Sequence, residues 1–407
     1  MQPDLGQSGG RQSARRTAVA VWAALLLVLC IRGLHNPRRN SVYPIFAGAA
    51  RNFAAGADLY RAADGPYRYS PLVATLLVPF SLWPDSVGGD FWRLLNASVY
   101  LAALAWFCRS VLPVSLTSSQ QAFLYLLIVP LSVGSLNNAQ SNPMVLGLLL
   151  AGVAAVASGR WNLASACVAL ACLFKIYPVA VGLLLAAIHP RRFAGRLVIA
   201  LAVGLALPFL FKPAGYVLAQ YASWFQQLRS DDRQQLPIEL WYRDLRLLCH
   251  ACHVPLGPTA YLRLQLLTAA GIAASCLWGR LRGWEQRRLL TTLFSLACCW
   301  MTLFGPATES STYILLAPPL AWMVLQAWLR PAPWPLRAGL AASFGLFTVT
   351  QAAVWFPGGA QQAHALGLHP LAGFLLLICL AGMVVQESLR SRMAGYESKS
   401  FRSVQAA

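Results

Sequence analysis

The sequence predicts an all-α protein, one polytopic transmembrane helical bundle, and three observations carry that reading. Of 407 residues, 57% are hydrophobic and only 11% charged, with mean hydropathy +0.55; soluble domains carry about 25% charged residues. Apolar runs recur between residues 18 and 385 with a single extended polar interruption, which leaves no space for a large water-soluble annex. Most of these runs approach the roughly 20 residues that a helix needs to cross a hydrocarbon core about 30 Å thick.

The first run, at 18–31, follows Arg11, Arg15 and Arg16 in the manner of a signal peptide. It has no small-residue cleavage site within reach and is therefore expected to persist as a first span. Further spans are expected at 70–85, 91–108, 120–135, 143–158, 161–188, 194–211, 259–279, 288–305, 311–329, 336–356 and 368–386, about twelve in all. One membrane domain at 17–388 would then lie between basic tails at 1–16 and 389–407.

The formal charge of +19 comes from 32 basic and 13 acidic residues, with lysine only at Lys175, Lys212 and Lys399. The arginines concentrate in short connectors between apolar runs, where positive-inside bias and anionic lipid headgroups place them, so nucleic acid is not an expected partner. Connectors with Arg191, Arg192 and Arg196, with Arg280, Arg282, Arg287 and Arg288, and with Arg330 and Arg337 share one side with the tail bearing Arg390, Arg392 and Lys399 if the spans alternate. Both termini are then cytoplasmic in a cell (inner) membrane protein, and the outer segments are 33–69, 212–258, the turn at Glu309 and 357–369. The first outer loop dissents, because it carries Arg38, Arg39, Arg51, Arg61 and Arg68. Either the first span is reversed, or these arginines serve an anionic ligand.

Both long outer loops are expected to hold amphipathic helices. Tyr43, Phe46, Ala50 and Phe53 recur at helical spacing before Gly56, a stop signal, which suits a helix lying at the membrane interface. Similar faces flank the charged centre Arg229-Ser230-Asp231-Asp232-Arg233, at 216–228 and 240–248. The ten cysteines lie mainly inside apolar runs and act as small hydrophobes.

Ionisable residues at membrane depth are functional candidates, because burying them costs about 2.5–3.5 kcal/mol even on the lower scales. Lys175 lies mid-run in Phe174-Lys175-Ile176-Tyr177-Pro178, where the proline should kink the helix and open a site for an anionic group. The alternative is a lysine snorkelling between two shorter segments. Asp58 and Asp64 in the first outer loop can act as bases toward an acceptor hydroxyl, beside arginines able to clamp a phosphate; each can equally be a solvated loop acid. Gln140 and Asn142, in Asn137-Asn138-Ala139-Gln140-Ser141-Asn142, form a polar group that is also a good helix cap. Glu309 is a second-choice base at the mouth of a span.

Cys249-His250-Ala251-Cys252-His253 satisfies the c-type haem attachment pattern, and its side chains could also ligate a metal. With three fixed positions, no second copy and no distal ligand, it is better explained as the packed end of an amphipathic loop. No Walker, G-x-G-x-x-G, H-E-x-x-H or G-x-S-x-G sequence is present, and neither cofactor nor metal is expected.

Taken in order, the first span, Gly56-x-Asp58-Leu59-Tyr60, the re-entry at Tyr69-Ser70-Pro71, Gln140-x-Asn142 and Lys175-x-x-Pro178 resemble glycosyltransferase family 87, mannosyltransferase-like membrane proteins of the GT-C class. The resemblance covers roughly residues 20–330. It implies a GT-C-like bundle that moves a hexose, typically mannose, from a polyprenyl-phosphate donor to a hydroxyl on a glycan or lipid acceptor outside the cytoplasm, with inversion and commonly without a metal. It further implies Asp58 or Asp64 as base with Glu309 in reserve, Arg38, Arg39, Arg68 or Lys175 on the donor phosphate, and Tyr60, Tyr69, Gln140 and Asn142 around the substrate. The chain departs from the family pattern at Asn40-Ser41-Val42-Tyr43-Pro44, where an aspartate ahead of an aromatic is common, at Ser70, where proline is common, and at Ala139, where glycine is common. An inactive lipid-binding relative and a lipid or sugar transporter remain the alternatives.

Overall fold

Prolines, glycines and polar connectors cut the chain into eighteen α-helices and no strands among the described residues of the computed structural model, which are 5–39, 41–61, 65–231, 233 and 236–405. The first half runs α1 (Leu5–His35), α2 (Tyr43–Ala55), α3 (Pro71–Ser81), α4 (Asp85–Ser110), α5 (Ser118–Leu127), α6 (Val129–Asn137), α7 (Asn142–Ala157), α8 (Trp161–Phe174), α9 (Val179–Ile188) and α10 (Gly195–Ala206). The second continues with α11 (Ala214–Ser230), α12 (Leu245–Ala251), α13 (Pro258–Leu281), α14 (Gln286–Leu303), α15 (Ala317–Leu329), α16 (Trp334–Ala352), α17 (Gly359–Ala365) and α18 (Leu368–Gln405).

Every expected run becomes helical, but twelve full-length spans do not follow. Among the described residues, seven helices are long and apolar enough to cross a membrane, or eight if the α5–α6 pair, bent by 49°, counts as one. Helices α3, α7, α8 and α9 have only 11, 16, 14 and 10 residues. In α7 the apolar character reflects protein on all sides: Val145, Leu146, Leu149, Leu150, Val153 and Val156 are all fully buried. Sequence alone cannot separate a helix buried by neighbours from one buried by lipid, since both are apolar all round. The opposite case is α10 and α13, whose Val198, Ile199, Leu266 and Leu267 are 62–70% exposed and form the apolar outer face that lipid would cover.

Close approaches fix the central layer. A Cβ on Gly147 of α7 would stand 2.9 Å from the backbone nitrogen of Tyr100 in α4, and one on Gly152 would stand 2.9 Å from Val168 Cγ2 in α8. Both glycines let helices pack nearly backbone to backbone. A buried ion pair within α4, Asp90 with Arg93, holds the guanidinium, whose Nε–H joins α4 to the end of α6 by donating to the Leu136 carbonyl at 2.9 Å.

The outer helices form, with two shifts. Helix α2 ends at Gly56 in the left-handed region at φ 73°, but its face of Tyr43, Phe46, Ala50 and Phe53 is at most 3% exposed. Protein covers it, so it is a packed helix rather than one lying on the bilayer. The second loop supplies α11 as expected, while the segment expected to be helical at 240–248 begins its α-helix only at Leu245, after a 3₁₀ turn at Ile238–Leu240. Asp244 caps that helix by accepting from the Arg246 and Leu247 amides. The Cys249-to-His253 segment closes α12, with the His250 ring 5.0 Å from that of Trp241, and no group of three metal-ligating side chains occurs among the described residues.

Candidate active site

Five connectors from distant parts of the sequence converge at one end of the bundle. The first is the break between α8 and α9. Helix α8 stops at Phe174, Lys175 is extended at φ −145° and ψ 145°, and α9 restarts after Pro178, which lacks the amide that would continue the ladder. The expected kinked span is therefore two short helices, with Lys175 in the gap. Its Nζ lies 5.9 Å from the Tyr69 ring centre and 5.8 Å from that of Tyr177, and among the described residues no carboxylate lies within 4.0 Å of it.

The second is the return of the first outer loop into α3. Tyr60, Tyr67 and Tyr69 form a row of rings with successive centres 5.6 Å apart. Tyr60 O–H donates to the Tyr69 carbonyl at 2.9 Å, and Tyr67 O–H to the Ser70 carbonyl at 3.1 Å. Ser70 Oγ–H then donates to the Leu173 carbonyl at 2.6 Å, so the loop is bolted to the last turn of α8 beside Lys175. Arg68 is held between these anchored tyrosines, and Trp224 of α11 donates to its carbonyl at 3.3 Å.

The third is the α6–α7 turn, where Ala139 takes φ 48° and Trp92 Nε1–H donates to its carbonyl at 3.1 Å. This turn aims Gln140 at Tyr69, whose O–H donates to Gln140 Oε1 at 3.4 Å. Asn142 is fully buried; it donates to Ser311 Oγ at 3.1 Å and accepts from Tyr177 O–H at 3.2 Å. It positions Tyr177 and does not line the cavity.

The fourth and fifth are the turn after α14 and the segment after α11. Glu309 N–H donates to Thr312 Oγ1 at 3.1 Å, which fixes the turn. The Glu309 carboxylate accepts from Gln140 Nε2–H at 3.4 Å and from Arg233 at 3.4 Å, with Arg68 at 3.8 Å. Asp231 closes the ring, 3.0 Å from Arg68 and 4.0 Å from Arg233, and accepts from Tyr242 O–H at 2.6 Å. Burial, and then the bond to Asp231, raises the Tyr242 phenol above its ordinary pKa, so it remains a donor.

These groups enclose a cavity of about 340 Å³ whose polar wall is Arg68, Gln140, Lys175, Asp231, Arg233 and Glu309. Its apolar wall includes Val42, Ile45, Phe46, Phe174 and Leu228. A second cavity of about 280 Å³ shares Asp231, Arg233, Pro306 and Ala307 with the first and is lined beyond them by Trp241, Tyr242, Asp244 and Tyr261. A site with three cations, two carboxylates and an apolar flank suits an amphipathic anion whose charged head must be held while a proton is removed nearby.

Of the residues expected from sequence, Arg68, Tyr69, Gln140, Lys175 and Glu309 meet here. Asp58 does not line the cavity: its carboxylate pairs with Arg61 at 3.3 Å and accepts from the Tyr60 amide at 3.0 Å, the local-turn arrangement open to it from the start. Arg38 and Arg39 are exposed in the turn after α1, and Tyr60 acts through Tyr69. Asp64 lies outside the described residues. Asp231, Arg233 and Tyr177 were not anticipated as site residues; the charged run at 229–233 was the visible signal for the first two.

The sequence model of glycosyltransferase family 87 matches residues 67–306. Over 173 residues the chain is 34% identical to GPI mannosyltransferase 1 of Aspergillus fumigatus, a match covering 40% of each protein, so the chain spans less than half the length of that curated relative. Among solved structures, ArnT from Cupriavidus metallidurans bound to undecaprenyl phosphate is similar at a TM-score of 0.44 and 15% identity, over 90% of this chain and 77% of that one. The family match covers more than half of the sequence and takes in Arg68, Gln140, Lys175, Asp231 and Arg233: the chain belongs to glycosyltransferase family 87.

Proposed function

We propose that the protein is a membrane-embedded hexosyltransferase that moves a sugar, mannose first among candidates, from a polyprenyl-phosphate donor to a hydroxyl of a glycan or lipid acceptor with inversion. The observation that carries this reading is the sharing of one amphipathic cavity by Lys175, Arg68 and Glu309. The donor phosphate takes the Lys175 ammonium and the Arg68 guanidinium as counter-charges, and its isoprenoid begins along Phe46, Phe174 and Leu228. Arg68 has a donor to spare, because its buried Nε has no partner among the described residues.

In the reaction the acceptor oxygen attacks the anomeric carbon from the face opposite the phosphate. The Glu309 carboxylate takes the proton from that hydroxyl, the bond between the anomeric carbon and the phosphate oxygen breaks, and its electron pair leaves on the lipid phosphate. Lys175 and Arg68 stabilise the charge that develops there. Glu309 suits the base role better than Asp231: its contacts run from 3.4 to 3.8 Å, whereas Asp231 is held at 2.6 Å by Tyr242 and 3.0 Å by Arg68. The second cavity, with Trp241, Tyr242 and Tyr261, suits an acceptor arriving from water, since aromatic faces and scattered polar groups bind sugar rings.

On this reading the same end of the bundle faces the extracytoplasmic side, with both termini cytoplasmic. Support comes from the Arg-rich connectors at the opposite end and from the partners of the first-loop arginines. Arg51 pairs with Asp85 at 2.9 Å, Arg61 with Asp58, and Arg68 with Asp231 and Glu309. These pairings give the first-loop arginines a structural use at this end, while the positive-inside bias itself counts arginines and not net charge.

The test is transfer from radiolabelled polyprenyl-phosphate mannose to a panel of glycan and lipid acceptors by the protein reconstituted in vesicles. Wild type should transfer label, and Glu309→Gln should lose about 100-fold or more in rate while still binding donor. Label transfer undiminished in Glu309→Gln would remove the base assignment, and no transfer from any polyprenyl-phosphate hexose would remove the function.

A further inference from the structure

The second cavity, of about 280 Å³, holds two arginines in the same stacked pose but with different partners. The Arg233 guanidinium lies 4.3 Å from the Tyr242 ring centre and also contacts Asp231 and Glu309. The Arg246 guanidinium lies 4.0 Å from the ring centre of Tyr261, yet among the described residues no carboxylate stands within 4.0 Å of it. Its Nε is buried and has no hydrogen-bond partner among them.

The neighbouring acid is already committed. Asp244 stands just before α12, and one of its carboxylate oxygens accepts from the Arg246 and Leu247 amides at 3.0 and 3.4 Å, the work of a helix cap. Its other oxygen accepts from Tyr261 O–H at 3.2 Å. That hydroxyl is also 3.2 Å from the Leu303 carbonyl, which fixes the ring on which Arg246 lies. Stacking sets the direction of the guanidinium and leaves the edge of its planar fork open for paired hydrogen bonds.

Charge and wall chemistry define the guest. Asp231 and Arg233 offset each other and both Asp244 oxygens are engaged, so the Arg246 guanidinium is the charge left to a guest. It matches a single carboxylate; a doubly charged phosphomonoester would face two acids with one counter-charge. Trp241 spends its Nε1–H on the Leu236 carbonyl at 2.9 Å, and Gln265 spends an amide N–H on the Phe304 carbonyl. They offer a guest an aromatic face and an amide oxygen, which suit a sugar ring and its hydroxyl. Among the described residues no Val, Leu, Ile or Met lines this cavity, whereas Val42, Ile45 and Leu228 line the first, so it lacks the wall that a lipid chain needs. We infer, resting on the acceptor reading of this cavity, that it selects a glycan acceptor bearing a uronic acid, whose carboxylate pairs with both arms of the Arg246 fork.

The test is equilibrium binding to the full-length protein in nanodiscs, read by saturation-transfer NMR with no donor present. The probes are dimannosides whose terminal residue carries, at its exocyclic carbon, a hydroxyl, a carboxylate, the neutral methyl ester of that carboxylate, or a methyl phosphodiester. Wild type should hold the carboxylate about tenfold or more tighter than the ester. Arg246→Gln should erase that preference. Arg246→Lys, which keeps the charge without the fork, should keep only part of it, and it supplies the reading if the glutamine variant does not fold. Arg191→Gln, outside both linings, should change nothing. Equal affinity for carboxylate and ester in wild type would overturn the proposal, as would a preference undiminished in the Arg246 variants or tighter binding of the phosphodiester than of the carboxylate. Transfer to neutral acceptors without any carboxylate preference would sink this selectivity alone. A carboxylate preference without transfer from any donor would instead sink the transferase reading and leave a uronate-binding site.

Discussion

Gln140 and Glu309, 169 residues apart, meet at 3.4 Å through an amide N–H and a carboxylate oxygen. The amide is the neutral member of a set whose other members around Glu309 are guanidiniums, so it orients the carboxylate without adding charge. The other end of the amide is held by Tyr69, whose ring faces Lys175, so one side chain links the acid to the cation's wall.

Gln140→Ala should therefore lower kcat by about tenfold with little change in donor affinity, since one neutral hydrogen bond is worth about 0.5–1.5 kcal/mol. Gln140→Glu should be worse, because it sets a like charge against Glu309. Asp58→Asn should retain most activity, given its distance from the cavity lining. The check is steady-state transfer kinetics with donor binding measured in parallel; near-total loss in Asp58→Asn would return the base role to the first loop.

Lys175→Met should weaken donor binding about tenfold or more, because a charge-assisted hydrogen bond in a desolvated site contributes about 1.5–3 kcal/mol. Lys175→Arg should recover part of it. Equilibrium binding of a polyprenyl phosphate, with and without the sugar, separates a phosphate contact from a sugar contact: the loss should be the same for both ligands.

Ser70→Ala removes the 2.6 Å bond to the Leu173 carbonyl and leaves that carbonyl, in a buried site, without the hydroxyl. Stability should fall by about 1–2 kcal/mol, and donor affinity should fall too, because the bond ties the first loop to the Lys175 break. Thermal unfolding in detergent reads the first effect and lipid binding the second.

Ala139→Gly should stabilise the protein by about 0.5–1 kcal/mol, since relief of a left-handed alanine exceeds the entropy that glycine adds to the unfolded chain. Ala139→Val should destabilise it. Melting temperatures of the two variants should fall on opposite sides of wild type.

Asp244 gives a pH dependence in the outer loop. Burial, opposed by the Leu247 and Arg246 amides, by the Tyr261 hydroxyl and by the Arg246 charge, lifts its pKa to about 6, above the unfolded value of about 3.9. The folded state then binds the proton more tightly. Its contribution to stability is fully present below about pH 4 and is lost as pH rises through about 6. The melting temperature of Asp244→Asn relative to wild type should rise across that window and level off above it.

Much of the architecture was legible from residue type. The α2 stop at Gly56, the break at Lys175-x-x-Pro178 and the long helices α1, α4 and α18 follow from local rules of capping, proline geometry and apolar run length. The span count was not legible, because α7 and α8 owe their apolarity to protein neighbours such as Tyr100 and Val168. At the site, Arg68, Lys175 and Glu309 stood out as charges near apolar runs. Asp231 and Arg233 did not, because their pairing with Arg68 and Glu309 is a tertiary fact set by the path of the second loop. Asp58 drew attention as an acid in the right loop, and Arg61, three residues on, had already claimed it. The departures at Ser70 and Ala139 acquire meaning only with coordinates: the first is an anchor to α8, the second a strained turn.

The barrier between the Lys175 cavity and its neighbour is made largely of Asp231 and Arg233 with the short turn Pro306-Ala307. A partition of packed leucines would hold its shape in any buffer. One knitted from ionic contacts loosens as electrolyte screens it, so the ease of passage between the two cavities should depend on ionic strength, independently of how tightly either one holds a guest.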